Sequence, residues 1–154
     1  MILISHRGNI DGKNIKKEND PQYLLNTLKK GYHIEVDIWY KKSIWYFGHD
    51  YAQYKIGNNQ KLKNFCKKNI NKIWFHCKNI EALEIMNKTN NYNYFWHNQD
   101  CYTITSKGYI WCFPGKEIIK DSVTLFPEKY FDVSKIKKMN LFAICSDYVG
   151  LLSK

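Results

Sequence analysis

Apolar residues along the chain fall into short runs of period two, separated by helical stretches and turns. Residues 2–5 read as a short buried strand that delivers His6 and Arg7 at its carboxyl end. Residues 9–19 are polar and basic, contain Gly12, and read as a long loop. Asp20-Pro21 then opens a helix, with a side-chain oxygen at the cap and a proline where its missing N–H costs nothing. Leu24, Leu25 and Leu28 form the apolar stripe of that helix, and Gly31 ends it. Over 32–38 the alternation is strict. Tyr32, Ile34, Val36 and Ile38 share one face, and His33, Glu35 and Asp37 share the other. That pattern predicts a sheet with one wet face, and its two-residue spacing aims both carboxylates at one point.

Further on, residues 44–48 read as a strand ending at His49, and a helix around 59–68 uses Leu62, Phe65 and Cys66. Residues 73–78 form a strand with Trp74, His76 and Lys78 on one face. Cys77 faces the opposite way, as a core thiol and not a nucleophile. Asn79 is expected to cap the next helix, which holds Ala82, Leu83 and Met86. Segments 94–97, 109–112 and 123–125 read as strands with little room for helices between them. A short helix near 134–138 precedes a last strand, 141–145, ending at Ser146-Asp147. Strands alternating with helices imply parallel pairing, with functional groups at strand carboxyl ends. The expected architecture is α/β: a compact TIM-type (β/α)8 barrel over residues 1–154, one domain. Several of its outer helices would be shortened or missing, because such barrels usually take about 250 residues.

A chain of 154 residues, 44% hydrophobic and 16% aromatic, is a folded globule and not a disordered segment. Its formal charge of +10 comes from lysines scattered along the chain. Scattered lysines describe a solvated exterior and not a dedicated nucleic-acid surface, though they can draw in an anionic substrate. Five cysteines without a CxxC pair suit reduced thiols in a cytoplasmic setting. The first apolar run is too short for a signal peptide or a membrane span, so a soluble protein is expected. Oligomeric state has no signature in the sequence.

Among 24 basic residues Arg7 is the only arginine, and it stands beside His6. A guanidinium can grip a phosphate through two parallel hydrogen bonds, which an ammonium cannot do. Histidine is the side chain best suited to exchange protons at physiological pH, which makes His6 and His49 the candidates for proton transfer. Glu35 and Asp37 suit a hard cation such as Mg²⁺ or Ca²⁺.

The order His6-Arg7-Gly8, Glu18-Asn19, Glu35-Val36-Asp37 and His49-Asp50 resembles the amino-terminal signature of the glycerophosphodiester phosphodiesterase family. The likeness covers roughly residues 3–50 and thins beyond them. It implies a TIM barrel, a divalent metal on Glu35 and Asp37, and two histidines acting as acid and base on a phosphodiester. Attack by the neighbouring glycerol hydroxyl would pass through a cyclic phosphate, with His6 as base and His49 as acid; the reverse assignment stays open.

This chain departs from the family at strand 73–78, where His76-Cys77-Lys78 replaces Glu-x-Lys. Lys78 is retained as a phosphate contact. His76 becomes the third candidate metal ligand, and its imidazole admits Mn²⁺. Glu18 can substitute as a ligand or only hydrogen-bond within the site, and Asn19 accompanies it. Trp96, His97, Trp111, Asp147 and Tyr148 lie near later strand ends and can shape a pocket. The substrate class is a small phosphodiester. Alternatives are a phospholipase C- or D-like enzyme acting on lipid head groups, a non-catalytic barrel that binds a phosphate ligand, and, on charge alone, a nucleic-acid-binding module.

Overall fold

In the computed structural model, which describes residues 1–89 and 91–154, strands outnumber helices two to one. The described residues form ten strands: β1 (Ile2–His6), β2 (His33–Lys41), β3 (Ile44–Phe47), β4 (Tyr54–Gly57), β5 (Ile73–Cys77), β6 (Asn93–Phe95), β7 (Tyr102–Ile104), β8 (Ile110–Cys112), β9 (Ser122–Leu125) and β10 (Ala143–Ser146). Five short helices accompany them: α1 (Pro21–Lys29), α2 (Asn59–Cys66), α3 (Ile80–Thr89), α4 (Val133–Lys138) and α5 (Val149–Leu152). Among the described residues no helix is long and apolar enough to cross a membrane.

The sheet runs β4-β3-β2-β1-β10-β9-β8-β7, with β5 and then β6 branching from β2. Along β6-β5-β2-β1-β10-β9-β8 every pairing is parallel. Strands β3, β4 and β7 pair antiparallel. This overturns the expected (β/α)8 barrel: the molecule is a curled, strand-rich half-barrel. The reason lies in the connections. Lys42 and Ser43 turn β2 directly into β3 with φ values of +48° and +62°, so Lys41 pairs with Ile44 and no crossover helix fits. That turn was hidden in the sequence because it uses neither glycine nor asparagine. Between β6 and β9 the chain likewise carries no helix.

Three apolar clusters hold the layers. On the outer face, Leu24, Leu28, Leu62 and Met86 from α1, α2 and α3 pack on Ile34, Val36, Ile38, Phe47 and Phe75. Inside the curl, Ile4, Trp74, Phe95, Trp111, Val123, Ala143 and Cys145 meet. A smaller cluster seats α4 and α5 against Ile144 of β10. Strand β2 thus has two buried faces, apolar toward the helices and polar toward the interior, where Glu35 and Asp37 are almost fully enclosed. The alternation placed the residues on the correct faces. The polar face is not wet, because the sheet curls over it.

Local signals set the element ends. The Asp20 carboxylate accepts from the Tyr23 N–H at 2.8 Å and caps α1, as expected. Asn79 does not cap α3 with its side chain. Its amide accepts from Tyr40 N at 3.0 Å and donates to Tyr40 O at 2.7 Å, stitching the start of α3 to β2. Strands β4 and β7 and helix α5 carry no clear period in the sequence; each is four residues or fewer.

Candidate active site at the strand carboxyl ends

Because β1, β2, β5 and β10 are parallel, their register brings His6, Asp37 in mid-β2, His76 and, just past β10, Asp147 to one end of the sheet. A cleft of about 630 Å³ opens there, lined by His6, Arg7, Glu35, His49, His76 and Lys78 among others. Trp111 and Phe95 stack 4.4 Å apart beneath it.

His6 leaves β1 with Nδ1 2.8 Å from Asp147 Oδ1. A carboxylate can only accept, so Nδ1 carries the proton and Nε2 holds the free lone pair. Phe126 meets the ring edge-on at 4.8 Å. Asn9, fully buried, donates to both Asp147 Oδ1 at 2.8 Å and Glu18 Oε1 at 3.1 Å, tying the histidine's partner to the arginine's. Burial would raise the Asp147 pKa, but His6, Asn9 and Arg7 outweigh it and hold the carboxyl below its usual range.

Arg7 sits in the left-handed region, φ +53°, with its backbone N–H on the Glu35 carbonyl at 3.1 Å. Gly8 follows at φ +93°, where a Cβ would press on the Tyr23 ring at 2.7 Å. Arg7 Nη1 donates to Glu18 Oε2 at 3.1 Å, and Nε lies 2.9 Å from Asp37 Oδ2. Two of the guanidinium's three nitrogens therefore face carboxylates. Burial pulls the Arg7 pKa down, yet Asp37, Glu35 and Glu18 more than reverse it. Glu18 groups with His6 and Asp147 and stands apart from the set that Glu35 and Asp37 join.

That second set is Glu35, Asp37 and His76, whose ligand atoms lie within 4.8 Å of one another. His76 Nδ1 is 3.1 Å from Asp37 Oδ1 and 3.7 Å from Glu35 Oε1. Its Nε2 bonds the His97 carbonyl at 2.9 Å, and its ring stacks on Phe95 at 4.9 Å. Asn19 brackets Asp37, donating to Oδ2 at 2.9 Å and accepting from the Asp37 N–H at 3.0 Å. Lys78 Nζ stands 3.7 Å from Oδ1. Burial disfavours charge at both Asp37 and His76, but their mutual pairing wins. Asp37 is held far below the usual carboxylate range, with Arg7 and Lys78 adding to the effect. His76 is pushed up to about 9. The donor set fits a divalent ion: two carboxylates and an imidazole nitrogen converge, and the buried Asp37 Oδ1 has no hydrogen-bond partner among the described residues.

His49 lies on the other wall, after a Gly48 turn in which a Cβ would collide with the Tyr51 carbonyl. It is half-exposed, with Nδ1 2.6 Å from Asp50 Oδ1. It also lines a neighbouring depression with Arg7, Lys13, Glu18 and Asn19.

The cleft therefore gathers His6, Arg7, Glu35, His49, His76, Lys78, His97 and Trp111. Asp37, Asn19 and Glu18 stand behind Arg7, and Asp147 stands behind His6. Trp96 and Tyr148, expected as pocket walls, lie outside the cleft's lining and remain exposed. Asn9, the His97 carbonyl, Phe126 and Lys129 carry no sequence signal as site groups, since their roles arise only from contacts between distant strands. Cys77 is buried with its thiol pushed up to about 12, so it belongs to the core. No known protein family, curated protein or solved structure matches this chain.

Proposed function

We propose that the protein is a metal-dependent phosphodiester hydrolase acting on glycerophosphodiesters, in the manner its resemblance to the glycerophosphodiester phosphodiesterase family implies. One observation carries the reading. His6, Arg7, Glu35, His49 and His76 line a single cleft, with Asp147 paired to His6 and Asp37 paired to His76 behind them.

With the diester seated against Arg7 and Lys78, His6 Nε2 takes the proton of the glycerol hydroxyl next to the phosphate. Its oxygen then forms a bond to phosphorus as the bond to the departing alkoxide breaks. Asp147 holds Nδ1–H and stabilises the imidazolium that results. His49 delivers a proton to the leaving alkoxide. Water opens the cyclic phosphate with the two histidines in exchanged roles. A divalent ion held by Glu35, Asp37 and His76 would neutralise charge on the non-bridging oxygens.

Purified protein should hydrolyse glycerophosphodiesters, lose that activity in EDTA, and regain it with a divalent ion. His49→Ala should cut turnover at least about a hundredfold, the scale of a general acid; a tenfold loss or less removes His49 from that role. A second reading, a non-catalytic phosphate-binding protein, is favoured by the cations already massed on Asp37: Arg7, His76 and Lys78. Absence of turnover on a panel of diesters with Mg²⁺, Ca²⁺ and Mn²⁺, alongside measurable phosphate binding, would establish it.

A further inference from the structure

We infer that the cluster of Glu35, Asp37 and His76 selects a first-row transition ion such as Mn²⁺ or Zn²⁺ over Mg²⁺ and Ca²⁺, with His76 Nδ1 bonded directly to the ion. This rests on reading that cluster as a metal centre, and it reverses the order of ions that the two carboxylates alone suggest.

Four observations carry it. The His97 carbonyl can only accept, so His76 Nε2 is the protonated nitrogen facing it, and Nδ1 is the nitrogen turned toward the carboxylates. A carbonyl behind one ring nitrogen and a flat ring against Phe95 fix the imidazole in a ligating orientation. Nδ1 and Asp37 Oδ1 are 3.1 Å apart, yet the fully buried Oδ1 has no hydrogen-bond partner. Without a metal the two atoms form a charge pair, and together with Glu35 Oε1, 3.7 Å from Nδ1, they place one nitrogen and two carboxylate oxygens within 4.8 Å of one another. A separation near 3 Å suits neighbouring ligands on an ion with bonds of about 2.1 Å.

The fourth observation is what the centre lacks. A hard cation draws its affinity from charge and from many oxygens, about six to eight for Ca²⁺. Among the described residues only Glu35 and Asp37 offer carboxylate oxygens here, and Asp37 is shared with Arg7 Nε at 2.9 Å and Lys78 Nζ at 3.7 Å. That sharing weakens the attraction for Mg²⁺ or Ca²⁺. The imidazole bond is preserved, and its strength rises from Mn²⁺ toward the later ions.

The test uses the full chain stripped with chelator and titrated calorimetrically with MnCl₂, ZnCl₂, MgCl₂ and CaCl₂. Pulsed EPR of the Mn²⁺-loaded protein reads ¹⁴N coupling directly. We expect one site that binds Mn²⁺ and Zn²⁺ at least tenfold more tightly than Mg²⁺ or Ca²⁺. We also expect an imidazole ¹⁴N signal that disappears in His76→Gln, and a narrower Mn²⁺-to-Mg²⁺ gap in His76→Glu, where oxygen replaces nitrogen. Equal affinity for Mg²⁺, no ¹⁴N coupling, coupling that survives in His76→Gln, or no Mn²⁺ binding at all would each overturn the inference. If the variants do not fold, the wild-type spectrum and the four affinities decide. Both readouts report the ion alone. Hydrolysis supported equally by Mg²⁺ would sink the selectivity and leave the enzyme reading standing, whereas a nitrogen-bound ion without turnover would do the reverse.

Discussion

Asp147 shows how much one side chain does at the residue scale. Its Oδ1 receives both His6 Nδ1 and Asn9 Nδ2, each at 2.8 Å. Asp147→Asn keeps the shape, and its amide oxygen can still accept from His6 Nδ1 and Asn9 Nδ2, but it removes the charge. We expect turnover to fall by about a hundredfold or more, with a displaced pH profile, because His6 loses the counter-charge that stabilises its imidazolium. A merely structural Asp147 would leave the pH profile of the residual activity where it was. Arg7 illustrates the opposite lesson. Its rarity suggested a fork closed on phosphate, but Glu18 and Asp37 take most of that fork, so it organises carboxylates as well as facing the cleft.

At the scale of elements, the hinge of the design is the junction of β2 and α3. Asn79 reads as a helix cap in sequence, yet its amide holds both backbone groups of Tyr40. Asn79→Ala leaves a donor and an acceptor without partners at the point where β2 passes from parallel pairing to the β3 hairpin. The expected loss is about 1–3 kcal/mol in urea unfolding, larger than the few tenths expected of an exposed surface change. A loss below about 0.5 kcal/mol would show that water replaces the amide there. The hairpin also explains why the barrel expectation failed. An eight-unit barrel needs a crossover after each strand, and Lys42-Ser43 supplies a two-residue reversal instead.

For the whole molecule, the centre couples folding to pH when no metal is present. His76 has a folded pKa of about 9 against an ordinary 6.5, so its contribution is complete below about pH 6.5 and is lost as pH rises through 9. Asp37 is shifted downward from 3.8, so its contribution is present above about pH 4 and is lost as the solution is acidified through its folded pKa. In EDTA, thermal melts should therefore show a stability decline between pH 7 and 10 that His76→Gln does not share. Comparing the two proteins removes the common effect of titrating a chain that carries +10. A wild-type decline no steeper than the variant's would mean His76 is not held as a cation in the folded protein.

Local periodicity and capping residues determined most of the longer strands, where α1 begins and ends, and which face of β2 carries Glu35 and Asp37. Those properties depend on neighbours one to four positions away, and the sequence displays them directly. The opening His6-Arg7 and the later Asp147 were likewise visible as chemistry-bearing residues at strand ends. Their pairing was not, because 141 positions separate His6 from Asp147, and only the parallel ladder of β1 on β10 closes that distance. The same holds for the nitrogen that His76 presents, which depends on the carbonyl of His97 brought alongside by β6 on β5. Sheet curvature and strand partners are global properties of the packed chain. They turned a polar strand face that reads as wet into the buried wall of a candidate metal centre.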